Sequence, residues 1–166
     1  MSRPACRSFP PSADARARVL VLGSMPGRES LRKQEYYAFE RNAFWPITGE
    51  IFHFDPGAPY ARRLEILRAH GVALWDVVAA CERDGSLDTA IRSPVPNDIP
   101  GLLRACPKLI GICCNGTAAG NYLRRFFPDL VLPILVLPST SPAAAAIPRA
   151  EKLRRWQEAF AQLSVS

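Results

Sequence analysis

The sequence predicts a three-layer α/β/α sandwich around a central, mostly parallel four-stranded sheet. Four short apolar runs, residues 17–24, 72–78, 108–116 and 130–138, recur along the chain with helical patterns between them. Continuous apolar runs bounded by turn residues are what strands buried on both faces require. Strands alternating with helices give a parallel sheet covered on both sides. Three of the runs end in small residues and prolines, "GSMPG", "NGT" and "PSTSP", at the C-terminal strand ends where such sheets bind ligands.

Residues 1–16, rich in Pro, Ser and Arg, are expected to form a loose arm, followed by a single domain over 17–166. "VLVLG" is the first strand and "SMPGRES" a turn. A short helix is expected over 41–54, which places Pro46 in its first turn. Residues 58–70 set Tyr60, Leu64 and Leu67 on one face and Arg62, Arg63 and Arg68 elsewhere, an amphipathic helix stopped by Gly71. "VALWDVV" is the second strand, and "NDIPGLLRAC" a short helix capped by Asn97 or Asp98. "KLIGICCNG" is the third strand and "TAAGNYLRRFF" its helix; "LVLPILVLP" is the fourth, with Pro133 near its start. Leu153, Trp156, Phe160 and Leu163 form the apolar stripe of a last helix.

The 166 residues carry a net charge of +6 with a pI near 9.4, which favours an acidic partner, nucleic acid first and anionic membrane second. No apolar run is long enough to cross a bilayer and the N-terminus has no apolar signal core, so a cytoplasmic monomer without membrane contact is expected. The five cysteines are odd in number and form no C-x-x-C, and His53 and His70 lack ligand spacing. The protein is therefore expected to be reduced, metal-free and without a cofactor. "NGTAAG" lacks the lysine of a phosphate-binding loop, and "GSMPG" has its serine in the wrong place for a hydrolase elbow.

"YYAFERNAFW", residues 36–45, gathers five of the fifteen aromatic side chains around Arg41 and Asn42 and fits no simple period. With the three strand-end loops it carries a resemblance. "GSMPG" resembles the first motif of the uracil-DNA glycosylase superfamily, "RNAFW" the Asn-x-Phe-Trp segment of its mismatch-specific branch, "CNG" the Asn-Gly ending its third strand, and "LPSTSP" its second motif. "YYAFERNAFW", "ALWDVVAACERDGSLDTAIRSPVPNDI" and "LPSTSPA" are most similar to the hypoxanthine-DNA glycosylase branch, sometimes called family 6, over about residues 17–160.

The resemblance implies an enzyme that hydrolyses the N-glycosidic bond of deaminated bases in damaged DNA, hypoxanthine foremost, by flipping the nucleotide out and attacking with water. Two alternatives stand beside it: a uracil or mismatched-thymine glycosylase, and a module that binds lesions without cutting. The second arises because Met25 occupies a place that in several branches holds Asp or Asn, and a thioether has no proton to trade. In the hypoxanthine branch that duty falls to an asparagine matching Asn42, the expected catalytic residue. Gly23, Ser24, Met25 and Pro26 are then expected in the base pocket, with Phe44 as the stacking wall. Tyr36, Tyr37 and Trp45 either line the pocket or pack beneath it. Asn115 lies near the base or caps the next helix, and Asp76 takes a supporting place. Arg41, Ser139, Thr140 and Ser141 are expected to contact DNA phosphates. "AAAAIP", with Ile147, is either a wedge into the emptied stack or the first turn of the last helix.

Overall fold

The computed structural model describes residues 4–165. Four parallel strands in the order β3-β2-β6-β7 form the central sheet: β2 (Val19–Gly23), β3 (Val72–Asp76), β6 (Gly111–Asn115) and β7 (Ile134–Leu137). Strand β2 pairs with both neighbours, Leu20 facing Ala73 on one side and Ile112 on the other.

Alternation along each strand divides the core into two layers. Val19, Val21, Val72, Leu74 and Cys113 pack with α2 (Phe44–Phe52), α3 (Tyr60–Ala69) and α6 (Arg149–Gln162). Leu20, Leu22, Ala73, Ile112 and Cys114 pack with α4 (Ile99–Ala105) and α5 (Thr117–Phe126). The adjacent cysteines thus face opposite layers, and burial pushes both thiols up to about 12. The anchor of the first layer is Trp156, fully buried, edge-on to Phe44 and donating its indole N–H to the Pro138 carbonyl at 3.0 Å.

The expected helices form, with shorter ends. Pro46 sits in the first turn of α2, where its missing N–H breaks no helical hydrogen bond. Asp98 rather than Asn97 caps α4, accepting from the Gly101 N–H at 3.0 Å. Gly71 ends α3 with φ of +79°, a conformation costly for other residues. Helix α1 (Arg28–Lys33) occupies sequence expected to be a turn.

Two expectations are corrected. The run 72–78 is not one strand: β3 ends at Asp76, and the chain then leaves the main sheet as β4 (Val78–Glu82). Nor are residues 4–16 a loose arm; residues 1–3 lie outside the described residues. Strand β1 (Ala5–Arg7) pairs antiparallel with β4, which also pairs with β5 (Arg92–Pro96), making a small second sheet. Ser12 and Leu74 exchange two backbone hydrogen bonds of 2.9 Å, and Phe9 is buried edge-on to Tyr36 at 5.2 Å. Prolines limit the freedom of the unfolded segment, so docking it costs less entropy than the same length of ordinary chain.

Candidate functional site

The C-terminal ends of β2, β3, β6 and β7 converge on a cavity of about 300 Å³. Gly23, Ser24, Met25, Pro26, Asn42, Asn115, Ser139, Thr140 and Ser141 all line it, so four segments far apart in sequence meet there. Tyr36, Tyr37 and Phe39, Asp76, the loop 86–88 and residues 27–30 and 142–143 complete its wall.

Gly23 makes the floor possible. A Cβ there would collide with Asp76 Oδ1 and come within 3.6 Å of the Tyr37 hydroxyl. Asp76 is 4% exposed, and its Oδ2 has no hydrogen-bond partner among the described residues. Burial first, and then the Asp88 carboxylate, push its carboxyl up to about 7, against the opposing pull of Arg83. The buried Tyr37 hydroxyl also lacks a partner in hydrogen-bonding geometry, and burial together with Asp76 holds its phenol well above the ordinary range. Unpaired buried polar groups cost about 1–3 kcal/mol each, so their gathering at a cavity floor makes it the candidate functional site.

The aromatic stretch sorts itself in space. Tyr37 has φ of +55°, a left-handed conformation uncommon outside glycine. Its ring stacks on Phe44 at 4.0 Å with 29° between planes. Phe44 is wholly buried behind it and does not line the cavity, which corrects its expected place as the stacking wall. Tyr37 and the 40%-exposed Phe39 hold the cavity side instead. Trp45 packs beneath, donating to the Tyr36 carbonyl at 2.9 Å under the Arg63 guanidinium.

Asn42 is half-buried at the cavity mouth. Its Oδ1 accepts the Phe44 backbone N–H at 2.9 Å, which fixes the side chain at the start of α2 and leaves the NH₂ without a hydrogen bond among the described residues. The Arg41 guanidinium stands 5.4 Å from the Phe39 ring centroid, outside the cavity in an adjoining groove.

Asn115 and Thr140 form a clamp. Asn115 Nδ2 donates to Thr140 Oγ1, and the Thr140 N–H returns to Asn115 Oδ1, both at 2.9 Å. The Thr140 carbonyl accepts the Ala43 N–H at 2.9 Å, so these three bonds join β6, the loop 138–147 and α2 around the cavity. Thr140 is 1% exposed, which corrects its expected contact with phosphate. Neither is Asn115 the helix cap, since Gly116 takes that place with φ of +99°. Ser139 and Ser141 remain partly exposed, each accepting a backbone N–H two residues ahead. Ile147 is half-buried and lines neither the cavity nor the groove; residues 143–148 precede α6 and are not its first turn.

Sequence reasoning missed the loop 86–88 and Arg83. Ser24 donates its hydroxyl to Asp88 Oδ1, and the Arg28 N–H bonds Ser86 Oγ at 2.8 Å, so that loop braces the first motif. Arg83, 1% exposed, donates Nη2 to the Pro26 carbonyl, while its Nε and Nη1 have no partner among the described residues. The paired carboxylate and hydroxyl at positions 24 and 88 have no spacing to betray them. Arg83 left no signal, since it follows the exposed Glu82 at the end of β4 and precedes the charged Asp84.

This fold and cavity define an α/β protein with a small ligand-sized cavity at the C-terminal ends of its parallel strands. The family model of the uracil DNA glycosylase superfamily matches residues 10–163. A hypoxanthine DNA glycosylase of Methanosarcina acetivorans is 36% identical over 155 residues, 93% of this chain and 97% of its own. A hypoxanthine DNA glycosylase of Methanosarcina barkeri is 38% identical over 117 residues, 70% of this chain and 74% of its own. A solution NMR structure from M. acetivorans, described as a candidate uracil DNA glycosylase, superposes with a TM-score of 0.82 at 36% identity, covering 96% of this chain and 99% of that one. The chain belongs to the uracil DNA glycosylase superfamily. No helix among the described residues is long and apolar enough to cross a membrane.

Proposed function

We propose that the protein excises hypoxanthine from DNA by hydrolysing the N-glycosidic bond of deoxyinosine, with Asn42 as its catalytic side chain. The observation that carries this is the pairing, in one small cavity, of a fixed amide donor with the aromatic wall of Tyr37 and Phe39 and an unpaired carboxyl. A volume of about 300 Å³ lies at the small end of ligand pockets and suits a single flat base. The names of two relatives favour hypoxanthine over other bases.

Glycosidic cleavage leaves positive charge on the sugar and negative charge on the departing base, through an oxocarbenium-like transition state. Water adds to C1′ of the sugar and gives up a proton, and the base leaves protonated as free hypoxanthine. The base, turned out of the duplex, slides against Tyr37 and Phe39. The Asn42 NH₂, held by its own carbonyl's bond to Phe44 N–H, donates to a heteroatom of the base as negative charge gathers there. Asp76 meets the lactam edge of the base. Its carboxyl, pushed up to about 7, offers both a donor and an acceptor when protonated, which matches an N–H beside a C=O. Met25 packs with Val78, Cys81 and Ile91 and serves as wall, not as catalyst.

The experiment is incubation of labelled duplexes carrying inosine, uracil or a G·T mismatch, followed by alkali. Strand breaks at inosine, exceeding those at uracil and at G·T, are expected. Preferred cutting at uracil would reassign the base, and binding without breaks would remove the catalytic reading.

A further inference from the structure

A second depression adjoins the cavity and shares Asn42, Thr140 and Pro142 with it. Three cations line this groove: Arg41 from the aromatic stretch, and Arg149 and Lys152 from the first turn of α6. Its one acidic member is the exposed Glu40. Among the described residues none of the three cations joins an ion pair, whereas neighbouring Glu151 is taken by Arg154 and Arg155.

Lys152 is the unusual one. It is 5% exposed on a helix face otherwise given to Trp156, Ala159 and Phe160. Its Nζ has one hydrogen-bond partner among the described residues, the Ser141 carbonyl at a long 3.5 Å. Burial lowers its pKa, the mark of an ammonium without a counter-charge. Lysine is almost never buried unless paired, so an anion from outside is the missing partner. The groove also receives the start of a 14-residue helix, whose first N–H groups and dipole favour negative charge.

We propose that this groove, with Lys152 at its base and Arg149 and Arg41 at its sides, seats one backbone phosphate adjacent to the extruded nucleotide. The inference rests on the glycosylase reading above and extends it to Lys152 and Arg149, where α6 meets the loop that carries Ser139 and Ser141. Because the groove adjoins the cavity at Asn42, Thr140 and Pro142, a phosphodiester seated in it lies next to the nucleotide whose base occupies the cavity, and the contact favours the flipped state.

The test is a charge-deletion cycle on binding. Duplexes carry a non-hydrolysable 2′-fluoro deoxyinosine, with a neutral methylphosphonate placed in turn at each of the two phosphates on either side of it. Wild type, Lys152→Met and Arg149→Gln are compared, with thermal midpoints as the check on folding. At one position the methylphosphonate should weaken wild-type binding about tenfold, a loss typical of a charge-assisted hydrogen bond. Lys152→Met should show that loss with the intact backbone and no further loss with the substituted one. Arg149→Gln, at an exposed position, should show a smaller coupling at the same phosphate and serves if Lys152→Met does not fold. Strictly additive losses at all four phosphates would overturn the site while leaving the glycosylase reading in place. If wild type neither cut nor preferred inosine DNA, both would fall.

Discussion

Replacing Asp76 by Asn isolates what the cavity floor costs the fold. The carboxyl is wholly buried at the end of β3, one oxygen unpaired, with Asp88 raising its pKa and Arg83 opposing; Tyr36 and Tyr37 face it from the aromatic stretch. Its pKa rises from 3.8 unfolded to about 7 folded. Between those values the folded protein holds a proton that the unfolded chain has released, so stability falls as pH rises through this window and levels off above it. At about 1.4 kcal/mol per pH unit, the loss reaches roughly 4 kcal/mol, an upper bound because relaxation and water entry reduce it. Asn has nearly the same shape and no charge to bury. Asp76→Asn should therefore match wild type near pH 4 and exceed it by about 2–4 kcal/mol at pH 8, or several degrees in melting temperature for a chain of this size. Urea titrations from pH 4 to pH 8 read this directly. Two parallel curves, or a variant less stable at pH 8, would refute the account of a strained, ionisable floor.

Other expectations follow from the same geometry. Gly23→Ala should cost about 1–3 kcal/mol, as overpacking does, and should reduce excision per folded molecule because its Cβ strikes Asp76; a variant of normal stability and rate would mean the floor is loose. Ser139→Glu with Ser141→Glu should weaken lesion binding by repelling phosphate while shifting the thermal midpoint by only a few degrees, and a collapse of stability would make the loop purely structural. Affinity for DNA should fall steeply between about 50 and 200 mM salt in a filter-binding or anisotropy series, and a flat response would remove DNA as the partner.

What the sequence disclosed follows from how each element is buried. Strands β2 and β6 touch helices on both faces, so residues 19–23 and 111–114 had to be apolar throughout and read plainly. Strands β4 and β5 are half-exposed, and β5 holds Pro94 and Pro96, so nothing in composition marked them. The site loops were legible because tight turns need Gly, Pro and Ser. Which ring faces the base was not: the run 36–45 has no period, and the left-handed backbone of Tyr37 decides that it, rather than Phe44, points to the cavity. Asp76 read as a strand end because its meaning depends on Gly23 and Asp88, both distant in sequence. Lys152 did leave a trace, a charge four residues before Trp156 on an apolar stripe.

The central claim is that Asn42 performs the chemistry, and single-turnover excision of hypoxanthine from an inosine duplex by wild type and Asn42→Ala tests it most directly. The variant also loses the bond to the Phe44 N–H, a local contact at the start of α2 typically worth about 1 kcal/mol, so it should fold and bind the lesion with a modestly lower melting temperature. Its rate at saturating enzyme should fall by about 10² to 10³, the usual cost of removing one aimed donor from a developing anion. Excision by Asn42→Ala at the wild-type rate per folded molecule would contradict the account.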